Sequence, residues 1–240
     1  MKCSFSGKYI YFVISLLMLL ILYGCGDKRI TESEIKSELN IVDGKTNEIR
    51  IGGILFSIPG DYRIETVEAD ENKIRKKSYD DAVSRIILHL NLSSWFDHPP
   101  ITPGEGNALI RIEIKSSGHE DGRRIENKLN ESSWQIQNDI PEWNLIEHVS
   151  KEFPQISGWG ALAYSGLGVK TPMGSLIVYS CTADYTASKK SIAKPTVCLT
   201  TYQLIEGPMI TYSISGVLLP RWKEVHTKVV DTINTFIVKS

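Results

Sequence analysis

Apolar and polar residues alternate in short runs along most of the chain. In ALIRIEIK, residues 108–115, Ile110, Ile112 and Ile114 fall on one side and Arg111, Glu113 and Lys115 on the other, the period of a half-buried strand. SRIILHLNL (84–92) alternates in part. Residues 48–59 hold two strand-like runs on either side of Gly52-Gly53, and Pro59-Gly60-Asp61-Tyr62 then breaks the second run, which predicts a hairpin followed by a turn. Segments 145–153, 160–165, 174–182, 196–205 and 209–216 predict five further strands. The period changes in two places. Residues 121–134 place Ile125 and Leu129 one turn apart behind Asp121, a cap residue, and predict an interior helix. After Pro220, residues Trp222, Val225, Val229, Ile233 and Phe236 recur at helical spacing, an amphipathic helix suited to covering a sheet. WFDHPPITPGEGN (95–107), with three prolines and two glycines, reads as a long loop. The pattern predicts an α+β protein: a mainly antiparallel β-sheet packed with a few helices, one of them C-terminal.

The first 25 residues follow a different rule. Lys2 and Lys8 precede an apolar run from Tyr9 to Leu22, and the run stops at Gly24-Cys25. A basic start, a short apolar stretch and a small residue before the cut describe a secretory signal. The run is short for a membrane span, which needs about 20 apolar residues. Leu22-Tyr23-Gly24-Cys25 fits the bacterial lipobox, although Tyr23 stands where a small residue is usual. Residues 1–24 are therefore expected to be a lipoprotein signal peptide, with lipid on Cys25 holding the mature chain to a membrane. Gly26 follows, where an aspartate would resemble the inner-membrane retention signal. The expected location is the periplasmic face of the outer membrane rather than the inner membrane. Residues 25–46, charged and poor in aromatics, are expected to be a flexible tether with room for one helical turn, and residues 47–240 a single globular domain.

Composition narrows the options. Without its signal the chain keeps 25 Lys and Arg against 28 Asp and Glu, a balance that gives nucleic acid no electrostatic footprint. Of four cysteines, Cys3 leaves with the signal and Cys25 is the lipid site. Cys181 and Cys198 remain, an even pair in an oxidising compartment, and are expected to form a disulfide. A zinc site needs more ligands than this pair supplies.

A search for chemistry finds little. His89, His98, His119, His148 and His226 form neither HxH nor HExxH. Ser165 lacks the first glycine of a nucleophile elbow, and Gly158-Trp159-Gly160 opens no βαβ unit. No catalytic residue, metal ligand or cofactor site is assigned, and the chain is expected to be a binding protein rather than an enzyme. Exposed aromatic residues on loops are the better signal, since Trp and Tyr carry much of the energy of protein interfaces. Trp95 and Phe96, with His98 in the Pro-rich loop, and Lys189 and Lys190 in the loop between the two cysteines, are the expected partner contacts. Trp134 and Trp143, flanking Asp139-Ile140-Pro141, are further candidates.

Phe56-Ser57-Ile58-Pro59-Gly60-Asp61-Tyr62 resembles the opening of the MOG1/PsbP-like fold. The ending from Pro220-Arg221-Trp222 through Val229, Ile233, Asn234 and Phe236 is similar to its terminal helix. Lipoproteins of this build resemble immunity proteins of type VI secretion systems, and the stretch from Trp95 to Ile112 looks like the corresponding region of such proteins. That resemblance implies a cognate toxin or effector as partner, with lipases among the candidates, neutralised by occlusion of its active site. It carries over no catalytic residue. The competing expectation is a structural or stress-related envelope lipoprotein with no inhibitory role.

Overall fold

The structure, a computed structural model, describes residues 29–91, 109–117, 134–151, 162–183, 195–205 and 207–239. Residues Glu32–Ser240 group into one compact unit, to which the description below is confined. Its elements, in chain order, are helix α1 (Glu32–Glu38), strands β1 (Asn47–Ile51), β2 (Ile54–Ile58) and β3 (Ile64–Ala69), and the short helix α2 (Glu71–Arg75). Strands β4 (Val83–Asn91), β5 (Leu109–Lys115), β6 (Trp134–Ile140), β7 (Leu145–Ser150), β8 (Leu162–Lys170), β9 (Leu176–Ala183), β10 (Pro195–Gln203) and β11 (Met209–Ser215) follow. Helix α3 (Trp222–Phe236) ends the chain's regular structure. This is the α+β class that the alternating pattern predicts.

Nine strands form one sheet in the order β3-β4-β5-β11-β10-β9-β8-β7-β6, every pairing antiparallel. The remaining pair, β1 and β2, is a separate hairpin. Its Gly52-Gly53 turn takes φ of +55° and +83°, the left-handed backbone that a two-residue hairpin requires and glycine supplies without strain. The alternation in β5 does what its period implies. Ile110, Ile112 and Ile114 are fully buried, while on the opposite side Arg111 is half-buried and Lys115 exposed. Strand β11 inserts between β5 and β10 and registers Ile210 against Ile114 and Tyr212 against Ile112. One continuous apolar face results.

Helix α3 covers that face. Trp222, Val225, Val229, Ile233 and Phe236, the residues picked out by spacing, are all buried, each contributing roughly 1.5–3 kcal/mol of transfer free energy. Trp222 fits a slot made by glycine. A Cβ placed on Gly166 of β8 would overlap the indole ring, and the indole Nε1 donates to the Trp143 carbonyl at 2.7 Å. Tyr179 packs edge-on against the same ring, with centroids 6.2 Å apart. Beyond α3 the chain continues into the small hairpin: Val238 N donates to Leu55 O at 2.9 Å, and Ile237 bridges Phe56.

Several expectations are corrected. The stretch expected to be flexible tether contains α1, and structure therefore begins before Asn47. Ile35 is buried, and Lys36 Nζ donates to the carbonyls of Ile64 (3.2 Å) and Glu65 (2.9 Å) on edge strand β3. A single apolar side chain and a lysine that caps a strand edge leave almost no periodic trace. Strands β3 and β6 and helix α2 were not anticipated. Trp134, the expected end of the interior helix, begins β6 instead, and the rest of that expected helix (121–133) lies outside the described residues. Among the described residues no helix is long and apolar enough to cross a membrane.

The Gly166 slot yields a direct test. Gly166→Ala should displace the Trp222 ring and destabilise the fold by about 1–3 kcal/mol, the usual cost of overpacking. A urea titration that returns wild-type stability would show that the slot has room to spare.

Candidate functional site

The face of the sheet turned away from α3 carries the polar residues. On β3, β4 and β5 the antiparallel register sets Arg85 opposite Lys115, Ile87 opposite Glu113 and His89 opposite Arg111. Glu113 thereby comes within reach of three cations: Arg85 Nη2 at 3.0 Å, Lys115 Nζ at 2.9 Å and Arg111 Nη1 at 3.8 Å. Arg85 reaches on to Glu68, Arg111 Nε lies 4.0 Å from Glu65, and Glu65 accepts from His89 Nε2 at 2.8 Å. Seven side chains on three adjacent strands thus form one continuous charge lattice. Burial alone pushes the Glu113 carboxyl up. Hydrogen bonds from Arg85 and Lys115, with their charges, outweigh burial and hold it below the ordinary carboxylate range. Glu65 is also lowered, chiefly by its hydrogen bond from His89. At neutral pH both carboxylates are charged and fixed in place. Towards the sheet centre Thr211 and Ser213 of β11, with Thr201 of β10, continue the polar face, and Thr201 and Thr211 share a 3.0 Å hydrogen bond.

Farther along the same face His148 Nε2 lies 2.8 Å from Ser165 Oγ. A serine hydrogen-bonded to a histidine is the start of a nucleophile–base pair. Both residues are buried, at 7% and 3% exposure, and both sit inside strands whose backbone groups pair with neighbouring strands. Burial pushes the His148 pKa down, and no carboxylate hydrogen-bonds to its ring among the described residues. Glu147, its chain neighbour, points to the opposite face, where it accepts from Tyr164 at 2.7 Å and Asn138 at 3.1 Å. The pair is therefore a structural contact and supplies no third orienting group and no oxyanion hole. No group of metal-ligating side chains occurs among the described residues.

A cleft of about 250 Å³ opens between α1, the β1–β2 hairpin and Tyr79-Asp80. Two pairs of its polar side chains are engaged with one another. Arg50 bonds Asp80 at 3.0 Å and Tyr79 donates to Glu38 at 2.7 Å. Beneath α3, Tyr179 and Tyr212 share a 2.7 Å hydrogen bond, and Tyr212 reaches His226 Nδ1 at 2.9 Å. Burial lowers the His226 pKa to about 4. The imidazole is neutral at pH 7 and shares one proton with the Tyr212 hydroxyl in that bond.

The expected cysteine pair is joined. Cys181 and Cys198 form a disulfide between facing positions of β9 and β10, closing a loop of a size that stabilises by roughly 3 kcal/mol in the chain-entropy account. Trp95, Phe96, His98, Lys189, Lys190 and Cys25 lie outside the described residues. Trp143 is half-buried beside β8, its carbonyl held by Trp222. The charge lattice went unread in the sequence. Arg111, Glu113 and Lys115 were visible as the polar side of β5, and Arg85 and His89 as polar positions of β4, but nothing local gives the register that joins them.

No protein-family model matches the chain, and no curated protein matches its sequence. Among solved structures it is similar to an immunity protein of the Stenotrophomonas maltophilia type IV secretion system, with a TM-score of 0.48 and 14% identity. The match covers 82% of this chain and 94% of that one. At that score the two chains share an outline and no more. The neighbour belongs to a type IV system, whereas the sequence resemblance points to type VI.

Acid should unsettle the core through His226. The unfolded histidine binds a proton near pH 6.5 and the folded one only near pH 4, so the unfolded state holds more protons in between. Stability should fall as pH drops from 6.5 to 4, by up to about 3 kcal/mol, and level off below. Urea titrations at several pH values should show a shallower fall for His226→Gln. An unchanged slope would remove His226 as the cause.

Proposed function

We propose that the chain is a lipid-anchored periplasmic binding protein that neutralises a secreted antibacterial effector by covering the effector's active site. The observation that carries this reading is the charge lattice around Glu113. Its side chains are held by one another on a rigid sheet, so recognition costs little side-chain ordering. Fixed, alternating charges discriminate partners and guide encounter. The features that favour catalysis elsewhere are weak in the described residues: the serine–histidine pair is buried, and in the cleft near Arg50 the guanidinium is paired with Asp80 and the Tyr79 hydroxyl with Glu38. The N-terminal pattern ending at Cys25 supports delivery to the compartment where such an effector acts. The reading rests on these features and draws nothing from the structural neighbour.

Two experiments test it. Residues 26–240, mixed with the product of the adjoining gene, should form a one-to-one complex of nanomolar affinity by calorimetry and suppress that product's activity, with lipid hydrolysis the first assay. Weak contacts with several envelope components instead would favour an envelope lipoprotein. Separately, cells fed radiolabelled palmitate should label the full chain, and Cys25→Ser should abolish the label. A labelled serine variant would place the anchor elsewhere.

A further inference from the structure

Strand β8 does not run evenly beside β9. Ser165 faces Val178 and Lys170 faces Leu176, so Gly166–Val169 all stand against Ile177 alone. A bulge of this kind bends the strand and re-aims its side chains. The start of the excursion is pinned twice. Gly166 lies beneath the Trp222 ring, and Leu167 N donates to Asn144 O at 2.9 Å. Gly168, at φ +81°, supplies the left-handed residue that turns the chain back. Leu167 is pushed out to 42% exposure.

The turn that follows is equally fixed. Thr171 N donates to Ser175 O at 2.9 Å, Gly174 N to Thr171 O at 2.8 Å and Ser175 N to Thr171 Oγ1 at 3.1 Å. Thr171 and Ser175 are buried, while Pro172, Met173 and Gly174 face solvent, Met173 at 40% exposure. Two large apolar side chains and a proline therefore stand exposed on one hairpin that is hydrogen-bonded at its base. Two cations flank it. Lys170 is exposed on the hairpin itself, and Lys223 Nζ stands over Trp222, 5.7 Å from the ring centroid and beside Gly168. Neither lysine is in an ion pair with a described residue.

We infer that the β8–β9 hairpin, with Leu167 and Met173 as its apolar anchors and Lys170 and Lys223 beside them, is the element that enters the partner. The partner surface it fits is an apolar cleft rimmed by carboxylates. This inference rests on the effector-binding reading and names the contact by which it works. A rigid hairpin loses little entropy on docking, methionine adapts to an irregular apolar wall, and the two lysines complement an acidic rim and speed encounter.

The test uses the calorimetric complex of residues 26–240 with the adjoining gene product. Met173→Glu and Leu167→Glu, each checked for an unchanged melting temperature, should weaken binding 10-fold to 100-fold. Lys170→Glu should slow association most strongly at low salt. Val238→Glu, exposed just past the opposite end of α3 from Trp222, should bind within twofold of wild type. Should Leu167→Glu perturb the fold, Met173→Glu alone decides. A complex that forms normally with both glutamate variants overturns the hairpin assignment and leaves the effector reading standing; no complex with the wild-type chain overturns both. If sedimentation shows a wild-type dimer that Met173→Glu dissolves, the hairpin is a contact between copies and the assignment falls.

Discussion

The seating of Trp222 over Gly166 fixes the relation between helix and sheet. Helix α3 could slide along a smooth apolar face, because dispersion and burial are nearly indifferent to register. A flat indole in a slot with no Cβ beneath it is not indifferent, and its hydrogen bond to the Trp143 carbonyl adds direction. From that point the helix runs along the buried isoleucines and tyrosines, with His226 over Tyr212 and Phe236 edge-on to Tyr62. The same seat holds the start of the β8 bulge. One contact thus positions the covering helix and gives the exposed hairpin a rigid base.

The two faces of the sheet divide the work. The face under α3 is apolar apart from a few hydrogen-bonded groups: burial keeps His226 uncharged and raises the hydroxyl pKa of Tyr179 and Tyr212, and the buried Glu147 carboxyl accepts from Tyr164 and Asn138. The other face concentrates its charge on β3, β4 and β5, where each carboxylate has at least one cation. Partly buried charges in this arrangement contribute modestly to stability, because desolvation offsets much of the attraction. Their stronger effect is to fix side-chain positions.

Much of this was legible in the sequence, for identifiable reasons. The alternation in 108–115 and the helical spacing from Trp222 to Phe236 are each written in consecutive residues, and both were found where expected. The Gly52-Gly53 turn was equally local. Strand β3 was missed because IETVEA, with its register shifts against β4, alternates poorly. Helix α1 was legible as no more than one turn of a tether, because it buries one residue, Ile35, and works through Lys36. The lattice around Glu113 and the bulge at Gly166 depend on which strands pair and in what register, and neither is encoded within a short window. Loop aromatics were the only functional signal that composition alone could offer. The structure instead draws attention to Leu167 and Met173, which look ordinary in the chain and are exposed by the bulge and by the turn after it.

The order in which the chain is made adds a constraint. Strand β11, which joins the β3–β5 half of the sheet to the β6–β10 half, is the last strand, and the helix that covers both halves comes after it. Residues 237 and 238 then tie back to β2. During synthesis the two halves have no common neighbour, and their apolar face has no cover until nearly the whole chain has emerged. Pairing of β5 with β11 also closes a very long loop, the kind of step that slows folding. A chain built in this order stays loose until its C-terminus is free, and only then completes its core.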